Sequence, residues 1–374
     1  MSEHSRFLPW VLSGFGIIVF LPFSWLLSAV CLALFILGWH DYRQDKHAIL
    51  RNYPVSGHLR FMLEYIRPEI RQYFLENDEE KLPFSRNQRA MVYSRAKKVN
   101  DKRGFGTIKA VYEPSSEWIG HSAAPRHADP KTFRVRIGGP QCTHAYESSI
   151  FNISAMSFGS LSPNAIRALN QGAKMGGFAH DTGEGSISAY HREHGGDLIW
   201  EIGSGYFGCR TPTGRFDADK FAEQAQSPQV KMIEIKLSQG AKPGHGGVLP
   251  AAKVTPEIAA TRGVPLGEDC VSPAAHSEFS TPLELMGFVQ HLRERSGGKP
   301  VGFKLCIGQP WEWFAMVKAM LESDIYPDFI VVDGSEGGTG AAPVEFSDHV
   351  GMPMREGLRL VHNTLVGVGK RDQV

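Results

Sequence analysis

From Val230 to Gly247 the sequence reads VKMIEIKLSQGAKPGHGG. The first eight residues form a strand pattern, and a loop with four glycines and a proline follows. Glycine serves where the backbone takes positive φ or approaches another group closely, and such a turn at the C-terminal end of a strand suits a ligand lying on the main chain. The arrangement recurs at Val332–Pro343, VDGSEGGTGAAP, directly after the apolar run DFIV. Neither loop fits the Walker pattern or the dinucleotide fingerprint GxGxxG.

Outward from these two loops the chain alternates strand and helix. FNISAM, GFAHD, LIWEIG, PVGFKLC and DFIVVD read as further strands, ending in SFGSL, TGEGS, SGYFG and similar turns. SPNAIRALNQGAKMGG reads as a helix with Ser162 as N-cap, Pro163 at its first position and a glycine stop. TPEIAATRG and TPLELMGFVQHLRERSGG open on Thr-Pro and close on glycine, and EGLRLVHNTLVGVG is the last helix. About six β/α units with loops at the strand ends predict an α/β fold of the (β/α)8 TIM-barrel type, residues 151–374, rather than a doubly wound sheet.

The chain has 374 residues and a net charge of +1, which gives no electrostatic case for nucleic acid. A hydrophobic fraction of 42% excludes a disordered chain. The five cysteines form no CxxC pair and read as reduced thiols, so no metal site is expected. Phe7 to Trp39 lacks any Asp, Glu, Lys, Arg or His. As one helix it would extend about 50 Å, against roughly 30 Å of hydrocarbon. With Pro22 near the middle, residues 7–39 read as a transmembrane anchor, one kinked span or a hairpin. Arg43, Lys46 and Arg51 after it place the catalytic domain on the cytoplasmic side of an inner or plasma membrane. Residues 40–150 read as a lead-in wrapping the barrel, with short strands near Thr107–Tyr112 and Thr132–Ile137.

SAMSFGSLS, HDTGEGS, IEIKLSQGAKPGHGG, KVTPEIA, FKLC and VDGSEGGTGAAP, in that order, resemble the FMN-binding synthase domain of glutamate synthase. With RNYPVSGHLR…RPEIRQYF behind an apolar segment, the chain resembles the membrane-anchored, stand-alone branch of that family. The resemblance implies an FMN-dependent oxidoreductase making L-glutamate by reductive amination of 2-oxoglutarate through 2-iminoglutarate. It implies FMN contacts from Ala155, Met156, Ser157, Gln239 and Lys304, with Asp333 ending the sixth strand and Gly337, Gly338 and Gly340 letting amides approach the flavin. Lys236, Lys242 and Arg262 match substrate-binding positions, with Lys236, Lys242 and Glu184 at the catalytic centre. Two lysines and an arginine suit a dicarboxylate.

Several departures qualify these implications. Val248 stands where the family has glutamine, and Tyr206 replaces the arginine of SGRFG, which favours another 2-oxo or 2-hydroxy acid as the alternative substrate. No N-terminal cysteine nucleophile is present, so the amine arrives as ammonia or from a partner, and the electron donor is open. The family's iron–sulfur cysteine cluster is absent. Six strands cannot close an eight-stranded barrel. The expectation is a fragment of a longer product that binds FMN poorly alone; an inactive membrane-anchored scaffold is the other alternative. Finally, HREH at His191–His194 reads as a solvated loop rather than a metal site, Cys209 as a buried thiol, and Trp311 and Trp313 as packing a helix start against the barrel.

Overall fold

The computed structural model describes residues 5–76, 84–99, 102, 104, 106–107, 110–114, 116–242, 244, 246–339 and 342–374. By its contacts the chain divides into two units, 1–120 and 121–374. The boundary falls inside the lead-in predicted for residues 40–150.

The first unit opens with a helical hairpin, α1 (Leu8–Phe20) and α2 (Trp25–Arg43), with Pro22 in the turn between them. Of the two forms expected for residues 7–39, the structure takes the hairpin. Small residues let the helices close: a β-carbon on Gly38 would run into the Trp10 ring, and one on Gly16 into the Cys31 thiol. Trp10 Nε1 donates to the Phe35 carbonyl at 3.0 Å, and Ser28 Oγ to the Ile17 carbonyl at 2.9 Å. By length and composition α2 can cross a membrane, which alone is weak evidence of a span; α1, at 13 residues, reaches only about 20 Å. Short α3 (Ala48–Asn52) leads to α4 (Ser56–Ile70), and buried Asp41 binds the Val55 amide at 3.0 Å and His58 Nε2 at 2.9 Å. A capping box of Ser85 and Gln88 opens α5 (Arg86–Ala96). The strand expected near Thr107–Tyr112 does not form at its described residues, since Val111 and Tyr112 lie in a turn; Ile108 and Lys109 are outside the described residues.

The second unit begins with an antiparallel hairpin, β1 (Arg134–Ile137) and β2 (Tyr146–Ser149). The segments that follow are α6 (Pro163–Gly176), β3 (His180–Asp181), α7 (Ala189–Arg192), β4 (Leu198–Ile202), α8 (Ala218–Ala225), β5 (Val230–Lys236), β6 (Val248–Leu249), α9 (Pro256–Arg262), β7 (Cys270–Val271), α10 (Pro282–Arg295), β8 (Val301–Cys306), α11 (Pro310–Ser323), β9 (Ile330–Asp333) and α12 (Met354–Gly367). Strands β3, β4, β5, β8 and β9 form one curled parallel sheet in that order. The order never reverses, unlike that of a doubly wound sheet. FNISAM was expected as a further strand but contributes a single bridge, Ile153 to His180. The physical reason is local: the Asn152 side chain takes the Ala179 amide at 3.0 Å, where a ladder would need a main-chain acceptor. β6 and β7 form a separate antiparallel pair within the loop region after β5.

Successive strand residues point to opposite faces. Leu198, Trp200, Ile233, Ile235, Phe303 and Leu305 face outward and bury against α8, α10, α11 and α12. Helix caps agree with the sequence: Ser162, Thr255 and Thr281 accept from the third residue of their helices, and Gly177 and Gly263 close α6 and α9 in the left-handed region. Trp313 is buried on α11, but Trp311 is 65% exposed, so only one of the two packs inward. α8 had no forecast; Asp217 caps it through the Asp219 and Lys220 amides.

Candidate functional site

The inward face of the sheet carries charge. Lys236 ends β5, and its ammonium lies 3.0 Å from the Glu184 carboxylate, which comes from the loop after β3. Lys242, in the loop after β5, lies 3.9 Å from the same oxygen. These three, with Ser204, Gln239, Gly247 and Ser272, line a small open pocket, of about 50 Å³, at the C-terminal ends of the strands. Burial raises the Glu184 pKa, but Lys236, Lys242 and Arg262 outweigh it and hold the carboxyl below its usual range. Burial, partly offset by Glu184, lowers the pKa of Lys242.

Two glycines set this pocket. A β-carbon on Gly247 would sit 3.3 Å from Glu184 Oε1, Lys242 Nζ and Ser272 Oγ alike, so the missing side chain leaves a space ringed by polar atoms. A β-carbon on Gly240 would run into the Gly334 carbonyl, so the loops after β5 and β9 meet backbone to backbone. Asp333 secures that contact by accepting from the Gly240 amide at 3.2 Å.

Further along the same face lies a second cluster. Lys304 on β8 pairs with Glu201 on β4 and lies 3.5 Å from Glu234 on β5. Asp181 on β3 completes it, with carboxylate oxygens of Asp181, Glu201 and Glu234 within 4.8 Å of one another. Asp181, Glu234 and Lys304, with Ala155, Ile199, Met232, Phe329 and Val331, line a larger open cavity, of about 280 Å³. Ile137 and Ser148 of the β1–β2 hairpin line it too. Burial first, then Glu201, raises the Asp181 pKa to about 7, against the opposing effects of Lys304, the Gly183 amide and the Glu234 carboxyl, and burial first, then Asp181, raises Glu234 well above the carboxylate range. Burial lowers Lys304, but its three carboxylate neighbours outweigh that and raise it.

The predicted residues are distributed unevenly over these two sites. Glu184, Lys236, Lys242 and Gln239 meet in the first pocket, and Ala155 and Lys304 at the second cavity. Met156 and Ser157 run against Gly183, where a β-carbon would lie 2.6 Å from the Ser157 nitrogen. Arg262 does not line the pocket: it is 6% exposed, donates to the Phe158 carbonyl at 2.8 Å and stacks on the Phe207 ring. The Gly337 amide is taken by Asp348 at 2.6 Å, a β-carbon on Gly338 would meet Ser347, and Gly340 lies outside the described residues. Val248 is 41% exposed on β6, and Tyr206 is fully buried with its hydroxyl on His276 and the Ser277 amide. Neither lines the pocket.

HREH is not a solvated loop throughout. His191 is buried against His180, and its Nδ1 accepts from the Ser188 amide that opens α7. Burial lowers both histidines, to about 4 for His180 and about 3 for His191. Burial likewise raises the Cys209 thiol, as its position behind GYFG implied. Sequence reasoning missed Asp181, Glu201 and Glu234. The available signal was an acid inside the otherwise apolar strands LIWEI and VKMIEIK, since acids are almost never fully buried unpaired.

A parallel α/β sheet carrying a lysine-rich pocket at its C-terminal strand ends defines a class of small-molecule enzymes. The conserved region in glutamate synthase matches residues 131–374, and the chain belongs to the glutamate synthase family. It is 35% identical over 395 residues to the glutamate synthase large subunit-like protein YerD of Bacillus subtilis, covering 94% of this chain and 75% of that one. It is 37% identical to the archaeal-type glutamate synthase [NADPH] of Thermotoga neapolitana and 35% to the archaeal glutamate synthase [NADPH] of Methanocaldococcus jannaschii, over 58% and 59% of this chain. The matched region spans 40% of each of those two proteins.

Proposed function

We propose that this chain carries the flavin and substrate sites of a glutamate synthase-type oxidoreductase, on a sheet belonging to a (β/α)8 barrel. The substrate is 2-oxoglutarate, taken as its imine with ammonia and reduced to L-glutamate. One observation carries the reading: Lys236 and Lys242 converge on the Glu184 carboxylate at the rim of an open pocket. An internal carboxylate between two cations stands where a ligand carboxylate would bind, and a dicarboxylate competes with it for both lysines.

FMN, when bound, supplies the hydride-transfer chemistry. The larger cavity supports its presence by its lining, with Ile199, Met232, Phe329 and Val331 as apolar walls and Asp181, Glu234 and Lys304 as polar groups. No backbone or side-chain N–H of the described residues makes a hydrogen bond to the buried Glu234 oxygens, whose neighbours are the Asp181 and Glu201 carboxyls. Lys236 and Lys242 orient the acid end of the substrate, while Lys304 faces the ring edge. Gln239 lies on the pocket side. Residues 7–39 anchor the chain as a hairpin, with the sheet unit in the cytoplasm; their outward side chains, among them Phe15, Ile18, Leu26 and Val30, are apolar. No iron–sulfur centre is assigned to these 374 residues. Val248 and Tyr206 do not line the pocket, and another 2-oxo or 2-hydroxy acid remains the alternative substrate.

The test is the visible spectrum of the detergent-purified chain before and after FMN addition, followed by titration with 2-oxoglutarate. Retained flavin bands that 2-oxoglutarate perturbs in the wild type, and not in Lys242→Ala, are expected. No retained flavin and no 2-oxoglutarate binding would overturn the reading in favour of a scaffold.

A further inference from the structure

Four ionisable side chains meet beneath the larger cavity, and their charges do not cancel. Asp181, Glu201 and Glu234 come from three adjacent strands, against the single ammonium of Lys304. All four are at most 8% exposed. Lys304 is taken by Glu201. Asp181 accepts the Gly183 amide at 2.9 Å, whereas no N–H of the described residues makes a hydrogen bond to either Glu234 oxygen, which faces the Asp181 and Glu201 carboxyls. Two close carboxylates in a low-dielectric site cannot both ionise, and an unpartnered buried carboxylate is the costlier anion.

We propose that Glu234 holds a proton in the resting protein, shared with Asp181, and that the cluster takes up a further proton when negative charge is placed on a planar heterocycle in the cavity beside Lys304. The second part rests on the flavin reading above. The consequence is that Lys304 is not a free positive charge waiting for an electron-rich ring; Glu201 already neutralises it. Compensation for added ring charge then comes from solvent protons: the ionised carboxylate of the Asp181–Glu234 pair takes one proton and becomes a carboxylic acid. No electron moves on the protein in this step, and the ring's two electrons come from an external reductant.

The neighbouring charges are few. On the same face, Lys236 and Glu184 lie toward the strand ends, where they pair with each other, and Asp333 ends β9. The β1–β2 hairpin and the segment after it bring Ser148, Asn152 and Ser154 as polar side chains, with Ile137, Ile153 and Ala155, and no charged one. Among the described residues no second cation lines this cavity to take over the role.

The first experiment needs no flavin. Infrared spectra of the purified chain at pH 7 should contain the carbonyl stretch of a buried protonated carboxylic acid, shifting in D₂O and lost in Glu234→Gln. A near-isosteric second variant, Asp181→Asn, should weaken or shift the band, which covers the case in which Glu234→Gln fails to fold. No such band in the wild type overturns the proposal whether or not FMN binds. The second experiment titrates FMN-loaded protein with dithionite and counts protons by indicator dye. The wild type should take up about one proton more per ring reduced than Asp181→Asn, which lacks the ionised member of the pair. Equal uptake overturns the coupling while leaving the flavin reading intact; failure of both proteins to hold FMN defeats the flavin reading, and with it the coupling, while the infrared band still decides the proton-holding site.

Discussion

Two charged clusters share one face of one sheet, and they differ in sign. Near the strand ends, Lys236 and Lys242 surround the single carboxylate of Glu184. Deeper in, Asp181, Glu201 and Glu234 surround the single ammonium of Lys304. Glu234 and Lys236 are two residues apart on β5, so one pleat step separates an acid-rich floor from a base-rich rim. The rim opens to solvent and can exchange its internal carboxylate for a ligand's. The floor is buried and can change its charge only by moving protons. The difference teaches that a count of like charges says little; burial decides which cluster binds and which one titrates.

The comparison breaks first at Lys304. Lys304→Ala removes the sole cation from three buried carboxylates, and we expect a loss of about 3–5 kcal/mol in urea unfolding, the range for breaking a buried pair. A loss below about 1 kcal/mol would mean that the floor already sits fully protonated and the pair contributes little.

Lys236→Ala tests the rim. Its ammonium reaches a carboxylate at 3.0 Å in an open pocket, so we expect 2-oxoglutarate affinity to fall by about 30-fold, roughly 2 kcal/mol, as for a charge-assisted hydrogen bond. Stability should change less than in Lys304→Ala. Unchanged affinity with a large stability loss would reverse the roles assigned to rim and floor.

Much of this fold was legible. Thr-Pro and Ser-Pro starts with glycine stops located α6, α9 and α10, because caps and left-handed termini are local chemistry. Strands β4, β5, β8 and β9 showed as apolar runs for the same reason. FNISAM misled because its pairing depends on where the Asn152 amide finds a partner, and no periodicity records that. The glycine loops lie at the strand ends where the rim pocket opens, but their reasons differ. Gly240 is needed for contact with Gly334, while a β-carbon on Gly337 would meet open space. Arg262 looked like a ligand cation, yet long-range packing gives it the Phe158 carbonyl and the Phe207 ring. Arg293, in the last turn of α10, is buried on Asp328 at 3.1 Å, a partner 35 residues away that the run HLRER does not reveal. Tertiary partners of long side chains are what a single sequence withholds.

The two clusters should also respond oppositely to pH. Asp181 has a raised pKa of about 7, so its contribution is fully present below the unfolded value near 4 and is lost as pH rises through 7. Glu184 has a lowered pKa, so its contribution is present above the unfolded value and is lost as pH falls. His180 and His191, held neutral by burial, also weaken the fold on acidification, between about 6.5 and 3. The clean measurement is therefore a difference. Unfolding free energies of wild type and Asp181→Asn should diverge as pH rises from 4 to 7, by up to about 1.4 kcal/mol per unit, the variant gaining relative to the wild type. Parallel curves would remove Asp181 from the titrating floor.

The smallest expected effect sharpens the edge of the rim. The Tyr206 hydroxyl lies behind the pocket, 3.0 Å from His276 Nδ1, and accepts from the Ser277 amide at 3.2 Å. His276 in turn meets the Lys236 carbonyl through Nε2 at 2.9 Å. This chain of bonds ties the segment carrying Ser272 and Pro273 to the end of β5, yet no atom of Tyr206 lines the pocket. Tyr206→Phe keeps the ring and strands two buried partners, so we expect a stability loss of about 1–2 kcal/mol. Affinity for 2-oxoglutarate should shift by less than about threefold, because both lysines keep their positions. A tenfold loss of affinity with little loss of stability would show that the 272–277 segment, not the lysine pair, sets the rim. The acid specificity would then have to be sought behind the pocket, in the His276–Tyr206 pair.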